Sequence, residues 1–281
     1  MRIRTFIRAV VTAAALTPLA LISSASTGAA TTWAPAATAA IHPGVQLLTN
    51  GSQCTANFIY QDSTATYIGQ AAHCSGTDGN TATNGCTSHS LPLGTPVTVT
   101  GAAHPGTLVY NSWLTMQSQG ETNADTCQYN DLALVRLDPG DVALVNPSVP
   151  VWGGPVGLSR TALALGQRIY SYGNSELRLG LTQLSPKTGI SNGDGGSGWN
   201  HGTTMVTPGI PGDSGSGLLD ASGNAAGILS TVGISIPDGA TNNFGDLGRE
   251  LDYLHAHEAS FAGVQLVPGT VAFNGSALPI G

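Results

Sequence analysis

Short runs of apolar and β-branched residues, separated by turn-forming residues, recur along the chain from about Val45 onward. Runs of this length, bounded by Gly, Asp, Asn or Pro, are typical of β-strands. They predict strands at Phe58–Tyr60, Thr66–Ile68, Pro96–Val99, Thr107–Tyr110, Leu132–Leu137, Gln167–Tyr172, Gly217–Leu219 and Ala226–Thr231. Because no helical segments alternate with these runs, the pattern favours an all-β chain over a parallel α/β sheet.

Three further segments refine this picture. The apolar runs on either side of Ala221–Asn224 predict a β-hairpin with its turn there. Leucines recur at helical spacing in Leu247–His257, which predicts a helix. Ser191–Gly198 is rich in Gly, Asp and Asn and predicts a surface loop.

A Pro- and Gly-rich stretch, Asn146–Gly157, divides the chain near its middle and predicts a linker. The two halves, residues 45–150 and 151–258, are each long enough for a small β-barrel with its own core. Residues 259–281 form an apolar, extended C-terminal extension, which we expect to add a strand or to pack on the surface.

Residues 1–30 have the composition of a secretory signal peptide. Three arginines precede an apolar run, Ala9–Ile22, and small residues follow it. That run is too short and too rich in alanine to span a membrane stably. We therefore expect a secreted, extracellular chain with no membrane attachment after cleavage, in which residues 31–44 are a lead-in or a short pro-piece.

Composition excludes several other classes of protein. Charged residues make up only 9% of the 281 residues and there are 38 glycines, which argues against long helical bundles. A hydrophobic content of 41% argues against disorder. The formal net charge of −7 becomes more negative once the signal arginines are removed, so no nucleic-acid partner is expected.

The chain has four cysteines, at Cys54, Cys74, Cys86 and Cys127. An even number in an exported protein predicts two disulfides, for which three pairings are possible. No C-x-x-C pair is present, so we expect neither a metal site nor another cofactor.

Three segments contain the side chains needed for nucleophilic catalysis. They are Gln70-Ala-Ala-His73-Cys74, Asn130-Asp131 before an apolar strand, and Gly212-Asp-Ser214-Gly. A serine nucleophile needs a base to take its proton and an acid to orient that base. Glycines around Ser214 allow a sharp turn whose amide groups could stabilise an oxyanion.

With these three motifs in this order, the chain resembles the chymotrypsin-like (trypsin-fold) serine proteases, and most closely the secreted actinobacterial members. The resemblance implies an all-β fold of two antiparallel six-stranded β-barrels with a short C-terminal helix. It implies that His73 is the general base, that Asp131 orients it, and that Ser214 attacks the peptide carbonyl. The substrate would be a protein or peptide, and we expect the enzyme to be a monomer.

The resemblance also implies several supporting residues. The amides of Gly212 and Ser214 would form the oxyanion hole. A disulfide would join Cys54 to Cys74, which leaves Cys86 to pair with Cys127. Relatives often pair the acid before the serine, here Asp213, with a freed amino terminus. The segment beginning at Ile41 is a poor match to that terminus, so we expect Asp213 to be satisfied by local groups.

For substrate selection, the resemblance places Pro208 at the base of the pocket for the side chain before the cleaved bond. Ser230, Thr231 and Val232 would pair with the substrate backbone as an added strand. Because proline carries no charge and Val232 replaces a glycine of deep-pocketed relatives, we expect a preference for small or medium apolar side chains.

Two alternatives come from other classes of protein: a non-catalytic binding module on the same scaffold, and a secreted esterase. Asp252 and His255 resemble the terminal Asp-x-x-His pair of such esterases, although the chain lacks their α/β pattern. His201 has two interpretations as well, a pocket histidine that recognises an acidic side chain or a solvated loop residue.

Overall fold

The computed structural model describes residues 1, 31–79, 82–235 and 239–277, so the predicted signal peptide lies, except for Met1, outside the described residues. Seven strands from the first half of the chain and one from its C-terminal part form an eight-stranded sheet of order β14-β3-β4-β7-β6-β5-β1-β2, in which all pairs are antiparallel. Its strands are β1 (Gln46–Thr49), β2 (Ser52–Thr55), β3 (Ile59–Gln61), β4 (Thr66–Ala71), β5 (Pro96–Val99), β6 (Gly106–Asn111), β7 (Leu132–Arg136) and β14 (Gln265–Leu266).

This sheet curls back on itself, because β2 and β3 stand near opposite ends of the strand order yet follow each other in the chain. The connection is a bend in which Ala56 N–H donates to Val45 O and Asn57 N–H donates to Gly69 O, both at 2.9 Å. Strands β2 and β3 are therefore two segments of one bent strand, and the C-terminal β14 adds a further strand to the sheet. These additions explain why the half that was predicted to have six strands has eight.

The second half is a closed barrel of order β10-β13-β12-β11-β8-β9, which confirms the six-stranded prediction. Its strands are β8 (Arg168–Tyr172), β9 (Pro186–Gly195), β10 (Asn200–Met205), β11 (Gly217–Leu219), β12 (Ala225–Ser235) and β13 (Gly239–Asp246). The predicted hairpin is β11–β12. The predicted loop Ser191–Gly198 is wrong, because β9 continues to Gly195 and pairs with β10 along most of its length.

In the described part of the chain, three α-helices join this β framework: α1 (Ser112–Gln119), α2 (Ala124–Tyr129) and α3 (Leu247–His257). Helix α3 has the predicted bounds. Asp246 caps its first turn by accepting the N–H of Arg249 at 2.8 Å. The three spaced leucines of α3 are buried against residues of both halves, including Phe58 and Ile228. Helix α2 carries Cys127, which is bonded to Cys86.

The C-terminal extension combines both predicted behaviours. Strand β14 pairs with β3, and the residues after it lie along the predicted linker segment, where Gly154 N–H donates to Val271 O at 2.9 Å. Phe273 then packs edge-on against Tyr170 of β8, with ring centroids 5.2 Å apart. The extension therefore contacts both halves. Within residues 31–79, 82–235 and 239–277, no helix has both the length and the apolar character needed to cross a membrane.

Candidate active site

His73 follows β4 in a 3₁₀ turn, Ala72–Ser75. The adjacent Cys74 is bonded to Cys54 on β2, with a Cα–Cα distance of 6.1 Å. Cys74 is buried, whereas 22% of the His73 side chain is exposed. The disulfide therefore fixes a turn that presents a partly exposed imidazole. Trp113 of α1 lies beside this ring, with centroids 6.5 Å apart.

Asp131 lies between α2 and β7, with its carboxylate buried. Its Oδ1 accepts the main-chain N–H of His73 at 2.9 Å, and its Oδ2 lies 2.7 Å from Nδ1 of the same residue. Because a carboxylate only accepts hydrogen bonds, Nδ1 carries the proton and the Nε2 lone pair faces away from Asp131. The hydroxyl of Ser230 also donates to Oδ2, at 2.7 Å.

The electrostatics of this pair favour the protonated imidazole. Burial works against the charged form, but the negative charge of Asp131 and its hydrogen bond outweigh that effect and raise the pKa of His73. The His73 ring is therefore arranged to accept a proton through Nε2 and to be stabilised as an imidazolium afterwards.

Ser214 lies in a sharp turn between β10 and β11. Gly212 and Gly215 on either side have φ of +94° and +85°, a conformation that favours glycine. The carbonyl of Ser214 accepts the N–H of Thr55 at 2.8 Å. A Cβ at Gly215 would lie 2.8 Å from the backbone nitrogen of Ala71. The turn thus packs against the end of β4, two residues before His73.

Two amides in this turn have no acceptor among the described residues, those of Gly212 and Ser214, whereas Asp213, Gly215 and Ser216 all donate to backbone carbonyls. Ser214 and His73 are both described by the structure, and no hydrogen bond joins the Ser214 hydroxyl to the His73 ring. The structure therefore joins His73 to Asp131 directly and brings the Ser214 turn against the same strand end.

Asp213 is fully buried, and its Oδ2 lies 3.0 Å from Nζ of Lys187 and contacts the guanidinium of Arg178. The amide of Ile210, three residues away, donates to its carboxylate at 3.0 Å, and that of Ser175, 38 residues away, donates at 3.1 Å. The expectation of local partners is thus incomplete, because Ser175 and both cations are distant in sequence. Burial, reinforced by Arg178, lowers the pKa of Lys187, although Asp213 opposes this shift.

Of the predicted substrate-binding residues, Pro208 and Val232 lie next to Gly209. The carbonyl of Pro208 accepts from Nζ of Lys187 at 3.3 Å. Val232 on β12 is 41% exposed and pairs with Asn242 on β13. A Cβ at Gly209 would lie 3.2 Å from Cγ1 of Val232, and the N–H of Gly209 donates to Asn242 Oδ1 at 2.9 Å. The side chains of Val232 and Asn242 therefore lie against the Gly209 backbone.

His201 fits neither of its two predicted interpretations, since only 1% of its side chain is exposed. Its Nδ1 lies 2.6 Å from Asp194 and its Nε2 lies 3.1 Å from Asp246, so it connects two carboxylates inside the second barrel. Burial lowers the pKa of His201, but the hydrogen bonds and charges of the two carboxylates outweigh burial and raise it overall.

The two residues of the esterase-like pair bind different partners. Asp252 pairs with Arg160 at 2.7 Å, and Nε2 of His255 lies 2.9 Å from Val264 O. Among the described residues, one grouping has metal-ligand geometry, Cys54, His73 and Cys74. Its two sulfurs are joined as a disulfide, so they are not available as thiolate ligands.

The two-barrel fold, with a His–Asp pair and a glycine-flanked serine where the halves meet, defines the class of serine peptidases. Residues 54–228 match the family described as "Trypsin-like peptidase domain", which is more than half of the chain. The protein belongs to this family, and peptide-bond hydrolysis is its class of activity. No curated protein matches the chain in sequence.

Two solved protease structures share the fold. Thermobifida fusca Protease A is 20% identical, with a TM-score of 0.52 over 82% of this chain and 99% of that one. A glutamic acid specific serine protease is 19% identical, with a TM-score of 0.50 over 81% of this chain and 100% of that one. Cellulomonas bogoriensis chymotrypsin is 21% identical, with a TM-score of 0.48 over 81% and 98%.

Proposed function

We propose that the mature chain is a secreted serine endopeptidase that hydrolyses proteins or peptides through an acyl-enzyme intermediate. The observation that carries this proposal is the hydrogen bond between the buried Asp131 carboxylate and Nδ1 of His73, 2.7 Å apart, beside the turn that presents Ser214. The two disulfides support export, because such bonds persist in oxidising compartments. We further propose that residues 1–30 direct export and that the enzyme acts as a monomer.

In this mechanism Ser214 attacks the peptide carbonyl while Nε2 of His73 takes the hydroxyl proton. Asp131 holds the ring through Nδ1 and stabilises the imidazolium that forms. The amides of Gly212 and Ser214, which have no acceptor among the described residues, would donate to the oxyanion. His73 then returns the proton to the leaving amine, and water completes hydrolysis by the reverse sequence.

A fluorophosphonate probe tests this proposal directly. We expect the purified mature chain to be labelled on Ser214, as identified by mass spectrometry of the peptides, and to cleave casein. Labelling should disappear in His73→Ala, because the hydroxyl then has no base. Ser222→Ala, which removes an exposed serine from the β11–β12 turn, is the matched control and should label normally. Absence of labelling in the wild type would instead favour a binding module.

We propose that the pocket before the cleaved bond prefers small or medium apolar side chains, because Val232 closes on Gly209. Val232→Gly is expected to raise kcat/KM for substrates with Leu or Phe at that position by about tenfold or more relative to Ala substrates. The measurement is a peptide-library profile, with the exposed Val156→Gly as control. A wild-type profile dominated by Lys or Arg would contradict the proposal.

The activity should also depend on pH through His73. Protonated His73 cannot accept the serine proton, so kcat/KM is expected to fall as the pH drops through its pKa. Since Asp131 raises that pKa, the midpoint of the acidic limb should lie above the ordinary value of 6.5. Measurement of kcat/KM against pH checks this, and a profile flat from about pH 4 to about pH 9 would exclude His73 as the base.

A further inference from the structure

Glu250 of α3 is a buried carboxyl group directly behind the candidate catalytic acid. Its side chain is 0% exposed, and its Oε1 accepts the main-chain N–H of Asp131 at 2.8 Å. Its Oε2 has no hydrogen-bond partner among the described residues. A Cβ at Gly245 would lie 2.6 Å from Oε1, so the carboxyl group is closely confined. The sequence motifs gave no indication of this contact.

The surroundings of Glu250 disfavour a negative charge. The ionisable groups facing it are the carboxylates of Asp131 and Asp246 and the hydroxyls of Tyr60 and Tyr110; in the described part of the chain, no cation contributes. A buried carboxylate without a positive partner binds a proton instead of bearing the charge. Burial and the two carboxylates together raise the pKa of Glu250 well above its usual value, against the opposing Asp131 N–H bond.

The main chain of Asp131 is held on both sides. Glu250 accepts the N–H of Asp131. The carbonyl of Asp131 accepts the N–H of Ala72, the residue before His73, at 2.5 Å. The position of the Asp131 carboxylate therefore depends on the position of α3, which carries Glu250. An ionised Glu250 would repel that carboxylate strongly, because both charges lie in a region of low dielectric. This repulsion would weaken the contact between α3 and Asp131.

We propose that Glu250 is a positioning residue that, as an uncharged carboxylic acid, holds Asp131 in line with His73, and that its ionisation sets the alkaline limit of activity. The effect on the alkaline limit of activity rests on the proposed function. The other part of the inference, that Glu250 stays uncharged over the pH range in which His73 titrates, does not depend on catalytic activity.

The kinetic experiment compares Glu250→Gln and Glu250→Ala with Glu258→Gln, a control on the residue after α3 whose carboxylate binds Thr115 instead. We expect Glu250→Ala to lower kcat by about 10- to 100-fold with little change in KM, since the catalytic acid is displaced. Glu250→Gln keeps the acceptor oxygen and should recover most of that loss. It should also move the alkaline limb of kcat to higher pH, because glutamine cannot ionise.

The second experiment follows the titration of the His73 ring by NMR in a Ser214→Ala background. If Glu250 is uncharged, Glu250→Gln leaves the pKa of His73 unchanged. A fall in that pKa would reveal an anionic Glu250 and overturn the inference, as would an alkaline limb unaffected by Glu250→Gln. This titration decides the inference even if Glu250→Ala does not fold. Absence of labelling and hydrolysis in the wild type would contradict the proposed function instead.

Discussion

Replacing Ser214 with alanine is expected to lower kcat/KM for peptide hydrolysis by about 10⁵- to 10⁶-fold, because the chain loses the hydroxyl that we propose forms the acyl-enzyme. The fold should be unchanged, since the turn is held by the main chain: the Ser214 carbonyl accepts from Thr55, and Gly215 donates to Leu229. A small residual rate above that in water should remain, because substrate binding and the oxyanion-hole amides persist. Initial rates at substrate concentrations well below KM measure the effect.

The control for this substitution is Ser222→Ala, whose rate should equal that of the wild type. An acyl-enzyme should also be trapped from the wild type in acid and be absent from Ser214→Ala. A loss of less than about tenfold in Ser214→Ala would show that another group is the nucleophile, since oxyanion stabilisation alone leaves only a small part of the rate enhancement.

Local sequence signals were sufficient for elements whose cause is local. Helix α3 was predicted with its observed bounds, because the leucine spacing that indicates it lies within the segment. The hairpin β11–β12 was likewise predicted from its turn residues. The order of the His, Asp and Ser motifs indicated the family, because each motif is a short turn beside a strand, so its residues are neighbours in sequence.

Contacts between distant segments were not predictable in this way. Asp213 meets Arg178 and Lys187 only because the β8–β9 connection and β9 close around the serine turn. The residues next to His201 in sequence are typical of a solvated loop. In the structure, however, Asp194 of β9 and Asp246 of β13 each place a carboxylate beside one of its ring nitrogens. Such partners come from strand pairing, which individual motifs do not encode.

The same reasoning explains why the support behind the His–Asp pair was only partly foreseen. Ser230 was predicted to pair with substrate backbone, and the donation of its hydroxyl to Asp131 was not foreseen. Glu250 was predicted as part of a helix and nothing more, although its carboxyl group binds the main chain of Asp131. Sequence therefore identified the candidate reacting groups, while the groups that fix their geometry become visible only when α3 and the second barrel are in place.

The second large effect is expected when the Asp131 carboxylate is replaced by an amide: Asp131→Asn should lower kcat by about 10⁴-fold with little change in KM. Oδ1 faces the main-chain N–H of His73, so the amide oxygen should occupy that position. The NH₂ group then takes the place of Oδ2 and donates to Nδ1. That bond moves the ring proton to Nε2, where the lone pair is needed to accept the proton of Ser214.

The measurement is kcat and KM at a pH above the pKa of His73, with Asp252→Asn as the matched control. Asp252 pairs with Arg160 on the surface, and 62% of its side chain is exposed, so its replacement should leave both constants nearly unchanged. If Asp131→Asn lowered kcat by less than about tenfold, the tautomer of His73 would not depend on Asp131, and the arrangement proposed here would be excluded. A large rise in KM instead would place Asp131 in substrate binding.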